Sequence, residues 1–184
     1  MGRILFWAIA TVMLAGATHL AVVLFTPDIS MASLIGRITA ATAVNRMVVL
    51  EPEETATLVH EINPDLAYAV CPYDIVDNDL QITLEIPDTY WSISIYNERG
   101  DNIYTLNDRQ AGASYLVLRL VQKASASDET LVPSLTEGNA VVVRTSSLRG
   151  VIMLRAMVPN GAYRQRIRDV LAASRCAPQA RETS

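Results

Sequence analysis

The sequence has few of the residue types that most catalytic and metal sites need. Only two cysteines and two histidines, His19 and His60, occur among 184 residues. One histidine outside the N-terminal apolar run cannot supply a multi-histidine zinc site, and the cysteine spacing is unlike that of thiolate ligands. The nucleophile motif Gly-x-Ser-x-Gly and glycine-rich phosphate loops are also absent. We therefore expect no metal and no cofactor, and the sequence favours a non-enzymatic role.

Charge is scarce as well, and basic residues are not in excess. Charged residues make up 18% of the chain and the formal net charge is −4, whereas ordinary soluble domains carry about 25% charged residues. This balance argues against nucleic-acid binding. With 51% hydrophobic residues, the composition is that of a folded, apolar-rich protein rather than a disordered one.

The longest uncharged stretch runs from Ile4 to Phe25 and contains no Asp, Glu, Lys or Arg. As a helix, these residues would rise about 33 Å, against a hydrocarbon core of about 30 Å. Arg3 precedes the run and Asp28 is the first charge after it. Because positive charge stays on the cytoplasmic side, the pattern predicts a single-pass anchor with a cytoplasmic N-terminus and an exported remainder.

Two other roles for this run stay open. The small residues Ala15-Gly16-Ala17 resemble a signal-peptidase site, although a cleavable apolar region is usually only about 7–15 residues long. A buried core helix is the other alternative, but such a helix usually carries a polar stripe, which this run lacks. His19 is either a functional ionisable group inside the span or a neutral imidazole that reaches the interface.

The residue pattern changes after the apolar run. Pro27 and Asp28 predict a break, and Ser30 could cap a second helix whose apolar stripe comprises Met31, Leu34, Ile35, Ile38 and Ala41. A short acidic helix beginning near Glu53 is expected next. We therefore assign residues 1–27 to a transmembrane signal-anchor and residues 28–62 to a helical linker region.

Residues 66–158 have the pattern of strands. Turn residues separate segments rich in Val, Ile, Leu and Tyr, and the segment 80–86 alternates apolar and polar residues without interruption. Residues 77–79 and 97–101 are typical of hairpin turns, and residues 123–129 of a loop. A helix is expected at 162–174, and 177–184 as a flexible tail. The predicted fold is mainly β, an antiparallel β-sandwich-like domain over 63–176 with flanking helices and one N-terminal transmembrane helix; the predicted strands are 66–73, 80–86, 91–96, 103–106, 115–122, 140–145 and 151–158.

Charge is unevenly placed along this part of the chain. Residues 51–101 contain twelve acidic residues and one basic residue, whereas residues 102–184 contain eleven basic and six acidic residues. Two interpretations are open: an acidic cation site that faces a basic partner surface, or two halves that pack together and neutralise each other.

Several short blocks resemble one bacterial family in order and spacing. They are Asn63-Pro64-Asp65-Leu66-Ala67-Tyr68, Asp74, Ile86-Pro87-Asp88, Tyr90-Trp91 and the later strands 140–145 and 152–155. The chain resembles the domain of unknown function family 1254 over roughly residues 63–176. Departures include Leu66 in place of Thr, Ile75 in place of Leu and Asn97 in place of Asp, so any polar site of the family would be altered here.

The resemblance implies a β-rich sandwich and supplies no settled activity. It also suggests a short, membrane-anchored form of this bacterial family; with the orientation predicted from charge, we expect a single-pass protein of the bacterial inner membrane whose domain lies in the periplasm. Longer members continue into a second domain, family 1214. The resemblance therefore suggests a separately encoded family 1214 protein as the partner, besides the lipid bilayer, of a binding module in the cell envelope.

The residues that we expect to bind a ligand, if any do, are Asn63, Asp65, Tyr68, Asp74 and Asp88. Gathered at one end of the sandwich, their oxygens could hold a cation or a small ligand. The same residues also suit turns, because Asn and Asp side chains bond to nearby backbone amides. A small-ligand-binding or hydrolytic enzyme that uses Asp65, Tyr68 and Asp74 is the alternative to a binding module.

Cys71 and Cys176 allow one further hypothesis. An exported domain lies in a compartment that permits disulfides, and a bridge between these residues would close a loop of about 100 residues. The alternative is two separate thiols, with Cys71 buried.

Overall fold

In the computed structural model, the chain forms a long N-terminal helix followed by a β-sandwich. The structure describes residues 2–51, 63–110, 115–123, 134–135 and 140–181. The predicted acidic helix near Glu53 and most of the predicted loop 123–129 lie outside these residues. The helices are α1 (Gly2–Ala41) and α2 (Arg164–Ala173), the latter preceded by a 3-10 turn at Gly161–Tyr163. The strands are β1 (Val48–Val49), β2 (Leu66–Asp74), β3 (Asp79–Glu85), β4 (Trp91–Asn97), β5 (Asn102–Asn107), β6 (Tyr115–Gln122), β7 (Ser134–Leu135), β8 (Ala140–Thr145), β9 (Arg149–Met157) and β10 (Arg175–Gln179).

Within the described residues, the strands form two five-stranded sheets. Sheet A has the order β1-β2-β9-β4-β5, and sheet B has the order β10-β3-β6-β8-β7. All neighbours are antiparallel except β6 and β8, which are parallel. The mainly β sandwich with flanking helices is thus the observed architecture, and the parallel pair is an addition that the strand pattern did not predict.

The core lies between the two sheets. Alternate residues of both sheets point inward, so that Leu80, Ile82 and Leu84 of β3 face Ile152 and Leu154 of β9 within one cluster of buried side chains. Helix α2 adds Ile167 and Leu171 to this cluster. Burial of these apolar side chains, at about 25 cal/mol per Å² removed from water, is the main source of stability.

Helix α1 corrects the predicted break at Pro27. It continues through this proline to Ala41, so Ser30 caps no second helix. Pro27 lacks an N–H and leaves one carbonyl of the preceding turn without its usual donor. The following segment nevertheless stays helical, because its apolar stripe packs on sheet A: Ile38 is 1% exposed and clusters with Val70 and Val151.

One predicted hairpin turn and the start of the predicted tail differ from the structure. Residues 77–79 do not form a hairpin, because β2 belongs to sheet A and β3 to sheet B. Residues 177–179, which we placed in the flexible tail, belong to β10 and pair with residues 79–81 of β3. By contrast, the predicted hairpin turn at 97–101 joins β4 to β5, and Gly100 adopts the left-handed φ of 88°.

Candidate functional site

Three of the five predicted ligand residues lie at one end of sheet A. Asn63 forms a turn, in which its Oδ1 accepts a hydrogen bond from the backbone N–H of Asp65 at 2.9 Å. Asp88 accepts one from Arg166 Nη2 of α2 at 2.9 Å. Residues 63–65 precede β2 and Asp88 precedes β4, and these strands start at the same end on either side of β9. The two segments are therefore about 10 Å apart across the sheet.

Asp74 lies at the opposite end of β2, about 26 Å from Leu66 at the usual rise per residue. Burial raises the pKa of its carboxyl, but hydrogen bonds from the N–H of Val76 and from Arg149, together with the Arg149 charge, outweigh it and hold the pKa below its ordinary value. The Arg149 Nε–Oδ2 distance is 2.9 Å. Asn45 bonds to the Asp74 backbone N–H and C=O, both at 2.8 Å, so Asp74 lies in a local structural network.

Tyr68 lies on the outer face of sheet A, half-buried among the apolar residues that α1 covers. The five residues are consequently distributed over two ends and one face of the sheet, and their side chains do not converge on one cavity. Hydrolysis or cation binding by Asp65, Tyr68 and Asp74 together would require such convergence. Ligand binding by these residues stays a prediction.

Ion pairs join the acidic and the basic parts of the chain. Each pair has its carboxylate in residues 51–101 and its guanidinium in residues 102–184; the pairs are Arg149–Asp74 and Arg166–Asp88 at 2.9 Å, Arg181–Asp79 at 3.6 Å, and Arg168–Glu51. This arrangement favours the interpretation in which the two halves pack together and neutralise each other. Among the residues that the structure describes, no cluster of His, Cys, Asp and Glu could hold a metal ion, and His60 lies outside them.

Tyr73 is a buried titratable group that the sequence analysis did not single out. Its side chain is 2% exposed, and its hydroxyl, which lies near Ser147, makes no hydrogen bond of ordinary geometry with the part of the chain that the structure describes. Burial raises the pKa of Tyr73 to about 12; the Ser147 hydroxyl opposes this rise and the Glu98 charge adds to it. The ring fits only because residue 150 is glycine, since a Cβ there would lie 2.7 Å from the Tyr73 ring and hydroxyl.

The raised pKa of Tyr73 predicts a loss of stability at high pH. An unfolded tyrosine ionises near pH 10, so between pH 10 and about 12 the unfolded chain releases a proton that folded Tyr73 retains. The free energy of unfolding should therefore fall by about 2–3 kcal/mol over this interval through this group alone. In thermal unfolding of the full chain, Tyr73→Phe should lose this part of the pH dependence, whereas Tyr115→Phe, which alters a half-exposed tyrosine, should keep it. Identical pH profiles for wild type and Tyr73→Phe would contradict the assignment.

A row of polar residues crosses four strands on the outer face of sheet A. The strand register places Tyr68 of β2 opposite Arg155 of β9, Arg155 opposite Ser92 of β4, and Ser92 opposite Asn107 of β5. We call these four residues the Arg155 row. Directly opposed residues have Cβ atoms about 4.5–5.5 Å apart, so Arg155 lies between a phenol and a hydroxyl. Of this row, the sequence analysis selected Tyr68 alone.

The serines of β4 are buried although they lie on the outer face. Alternation in this strand predicts that Ser92 and Ser94 face water, yet they are 2% and 0% exposed. Ser94 Oγ lies 3.1 Å from Thr105 Oγ1 and 3.5 Å from Arg155 Nη2. The outer face of sheet A therefore carries a second, polar buried region beside the apolar region that α1 covers.

Helix α1 has a longer N-terminal part and a shorter C-terminal part with different surroundings. Up to Ser30 its residues are exposed, apart from the half-buried Ala10, and the stretch includes the apolar run 4–25. In the described part of the chain this is the one helix long and apolar enough to cross a membrane, by length and composition. From Met31 onward, one face packs on β2 and β9. At the boundary, Arg99 in the β4–β5 turn pairs with Asp28 at 3.4 Å.

Cys71 and Cys176 lie side by side between the sheets. Cys71 is on β2 of sheet A and Cys176 on β10 of sheet B, and their sulfur atoms are 2.02 Å apart, which is a disulfide in the structure. The bridge thus connects the two sheets across the core, at a point where both residues are buried.

The geometry defines a class of protein: a two-sheet β-sandwich with a long exposed apolar helix packed against one sheet by its C-terminal part. The model of the family described as "Protein of unknown function (DUF1254)" matches residues 44–178. The chain belongs to this family, as the motif blocks predicted. The match begins before Asn63 and so includes β1.

One solved structure supports the fold, and a second is similar to a lower degree. The VPA0106 protein from Vibrio parahaemolyticus is similar with a TM-score of 0.59 and 11% identity, over 85% of this chain and 39% of that protein. An uncharacterised protein from Burkholderia cenocepacia gives a TM-score of 0.48 and 12% identity, over 74% of this chain and 35% of that one. The chain therefore spans about two fifths of the length of the Vibrio protein. No curated protein matches the sequence.

Proposed function

We propose that the chain is a single-pass protein of the bacterial inner membrane that holds a non-enzymatic binding module at the periplasmic surface. One observation carries the proposal: α1 continues without a break from its exposed apolar part into the shorter C-terminal part that packs on sheet A. At about 1.5 Å per residue, the helix is about 60 Å long, enough to cross the hydrocarbon core and still reach the sandwich. A rigid helix of this kind would hold the module close to the lipid surface.

Two further features support this location. The run 4–25 lacks charge while Arg3 precedes it, which favours a cytoplasmic N-terminus. The buried sulfur pair of Cys71 and Cys176 fits an oxidising compartment, because disulfides are rare in the cytosol. We propose a separate protein of family 1214 as the partner. Co-purification of the two proteins from detergent would support this pairing, and a lone monomer after co-expression would count against it.

Paired arginine substitutions test the anchor. Leu14→Arg with Ala15→Arg places two charges at the centre of the run, where each costs about 2.5–3.5 kcal/mol in membrane insertion. We expect this variant to leave the carbonate-washed membrane fraction. Ile29→Arg with Ser30→Arg is the matched control, because Leu14 and Ile29 are 70% and 69% exposed on the same helix. The control should stay in the membrane; equal behaviour of both pairs would disprove the anchor.

The same preparation distinguishes an anchor from a cleaved signal and fixes the topology. The intact mass of the membrane-bound chain should equal that of all 184 residues, 20.1 kDa, whereas cleavage after Ala17 would give a shorter chain. A C-terminal alkaline phosphatase fusion should be active, since this reporter works only on the exported side. An inactive phosphatase fusion in full-length, membrane-bound protein would mean that the domain lies on the cytoplasmic side, which contradicts the proposed orientation.

A further inference from the structure

The Arg155 row contains a guanidinium that no carboxylate of the described residues pairs. The arginines at positions 149, 166, 168 and 181 each pair with a carboxylate. No described carboxylate lies within ion-pair distance of Arg155, whose one hydrogen bond in the described structure is the long contact of Nη2 with Ser94 Oγ at 3.5 Å. Its Nε is buried, and no described atom accepts a hydrogen bond from it. A buried N–H without an acceptor and a charge without a counter-ion both cost free energy. Arginine cannot lower this cost by losing its proton, so Arg155 needs a hydrogen-bond acceptor.

Ser92 lies directly opposite Arg155 and shows the same deficit. Its side chain is 2% exposed, and among the described residues its Oγ has no hydrogen-bond partner. Buried polar atoms are nearly always paired, and each exception calls for an explanation. The Ser92 hydroxyl and the Arg155 Nε–H are two such exceptions, and they are neighbours. Both can donate, so both could bond to the same acceptor.

The surroundings of these donors favour an anion. Their neighbours across the sheet, Tyr68 and Asn107, are uncharged, and Ser94 with Thr105 adds two more hydroxyl groups on the side of the edge strand β5. No carboxylate of the described residues competes for the guanidinium. A cation would be repelled by Arg155, whereas a group that only accepts hydrogen bonds would satisfy both free donors.

We propose that Arg155, with Ser92 and Ser94, binds an oxyanion group, a carboxylate or a phosphate, on the outer face of sheet A. Guanidinium groups hold such oxyanions through two parallel N–H bonds, and these charge-assisted bonds are about twice as strong as neutral ones. This proposal specifies the chemical class of ligand for the proposed binding module. It rests on the proposed function only for the assumption that the domain has a binding role. Its test measures ligand-induced stability and not membrane location, so the two can fail separately.

The test is thermal unfolding of the full chain in a neutral detergent, with sodium phosphate or sodium acetate added at constant ionic strength. We expect a saturable rise in the unfolding temperature with at least one of these probes. Arg155→Gln should abolish the rise, and because it removes a half-buried charge that no described carboxylate pairs, it should fold at least as stably as wild type without the probe. Arg175→Gln changes an exposed arginine on sheet B and should leave the rise unchanged.

A second variant keeps the guanidinium and removes one free donor. Ser92→Ala should weaken the apparent affinity for the probe by about two- to tenfold, the usual effect of one hydrogen bond. Repeating the titration in nanodiscs separates the two sources of a phosphate: a headgroup ligand predicts that phosphatidylglycerol suppresses the added effect of free phosphate, and a dissolved ligand predicts that it does not. The proposal is overturned if neither probe gives a saturable rise in detergent, or if Arg155→Gln responds as wild type does.

Discussion

Gly150→Ala is expected to lower the free energy of unfolding by about 3 kcal/mol or more, the upper end of the range for overpacked positions. The new Cβ would overlap the carbonyl oxygen of Tyr96 on the neighbouring strand and would lie 2.7 Å from Cε1 and the hydroxyl of Tyr73. Neither neighbour can give way easily. The Tyr96 carbonyl belongs to the backbone of β4 in the middle of sheet A, and the Tyr73 ring is enclosed by the core.

Thermal unfolding followed by near-ultraviolet circular dichroism measures this effect. At about 2–4 °C per kcal/mol for a chain of this length, Gly150→Ala should unfold at least about 6 °C below wild type. Gly36→Ala is the matched control, because a Cβ at that helical position meets nothing within 4 Å and alanine favours the helix. A Gly150→Ala protein that unfolds within a degree of wild type would contradict the close approach of β9 to β4.

The strands of this fold were predictable because their residue pattern reports local burial. In the segment 80–86 the apolar residues alternate with polar ones, and the structure buries Leu80, Ile82 and Leu84 while it leaves Gln81 and Thr83 half-exposed. The pattern reports nothing about which strand pairs with which. It therefore could not predict the parallel contact of β6 with β8, nor the change of sheet between β2 and β3.

Short and context-dependent elements were missed for a different reason. Strand β1 has two residues, and β10 contains Pro178, which lacks a backbone donor. Their strand conformation comes from the neighbour on which they pair and not from their own sequence. The same holds for α1 beyond Pro27, where packing of Ile38 and its neighbours on sheet A outweighs the local signal to stop.

The candidate site shows the same limit. Asn63 and Asp74 were selected as ligand residues because their residue types suit ligand binding, but in the structure each bonds to nearby backbone N–H groups. Arg155 was not selected, since an arginine between two apolar residues of a strand is expected to face water. That no described carboxylate lies beside it becomes visible only when the register of four strands is known.

Removal of the sulfur bridge is the second change for which we expect a large effect. Cys71 and Cys176 are separated by 105 positions, and a bridge that closes a loop of this length stabilises the folded state by about 4–5 kcal/mol in the chain-entropy model. The double variant Cys71→Ala with Cys176→Ala should therefore unfold roughly 8–20 °C below wild type. The bridge also attaches β10, a short edge strand of sheet B, to the opposite sheet.

Two measurements isolate the bridge from the packing of the two side chains. The denatured, unreduced wild-type protein should contain no free thiol in a thiol count, and two free thiols would refute the bridge. A reducing agent should lower the unfolding temperature of the wild type and leave that of the double variant unchanged, because only the wild type has a bond to break. If the two proteins respond alike, the loss in the double variant comes from the core cavity alone, since each alanine replaces a buried sulfur. The variant Leu14→Arg with Ala15→Arg gives a further comparison. Protein of this variant that stays in the cytosol should be isolated with both thiols free, because that compartment keeps thiols reduced.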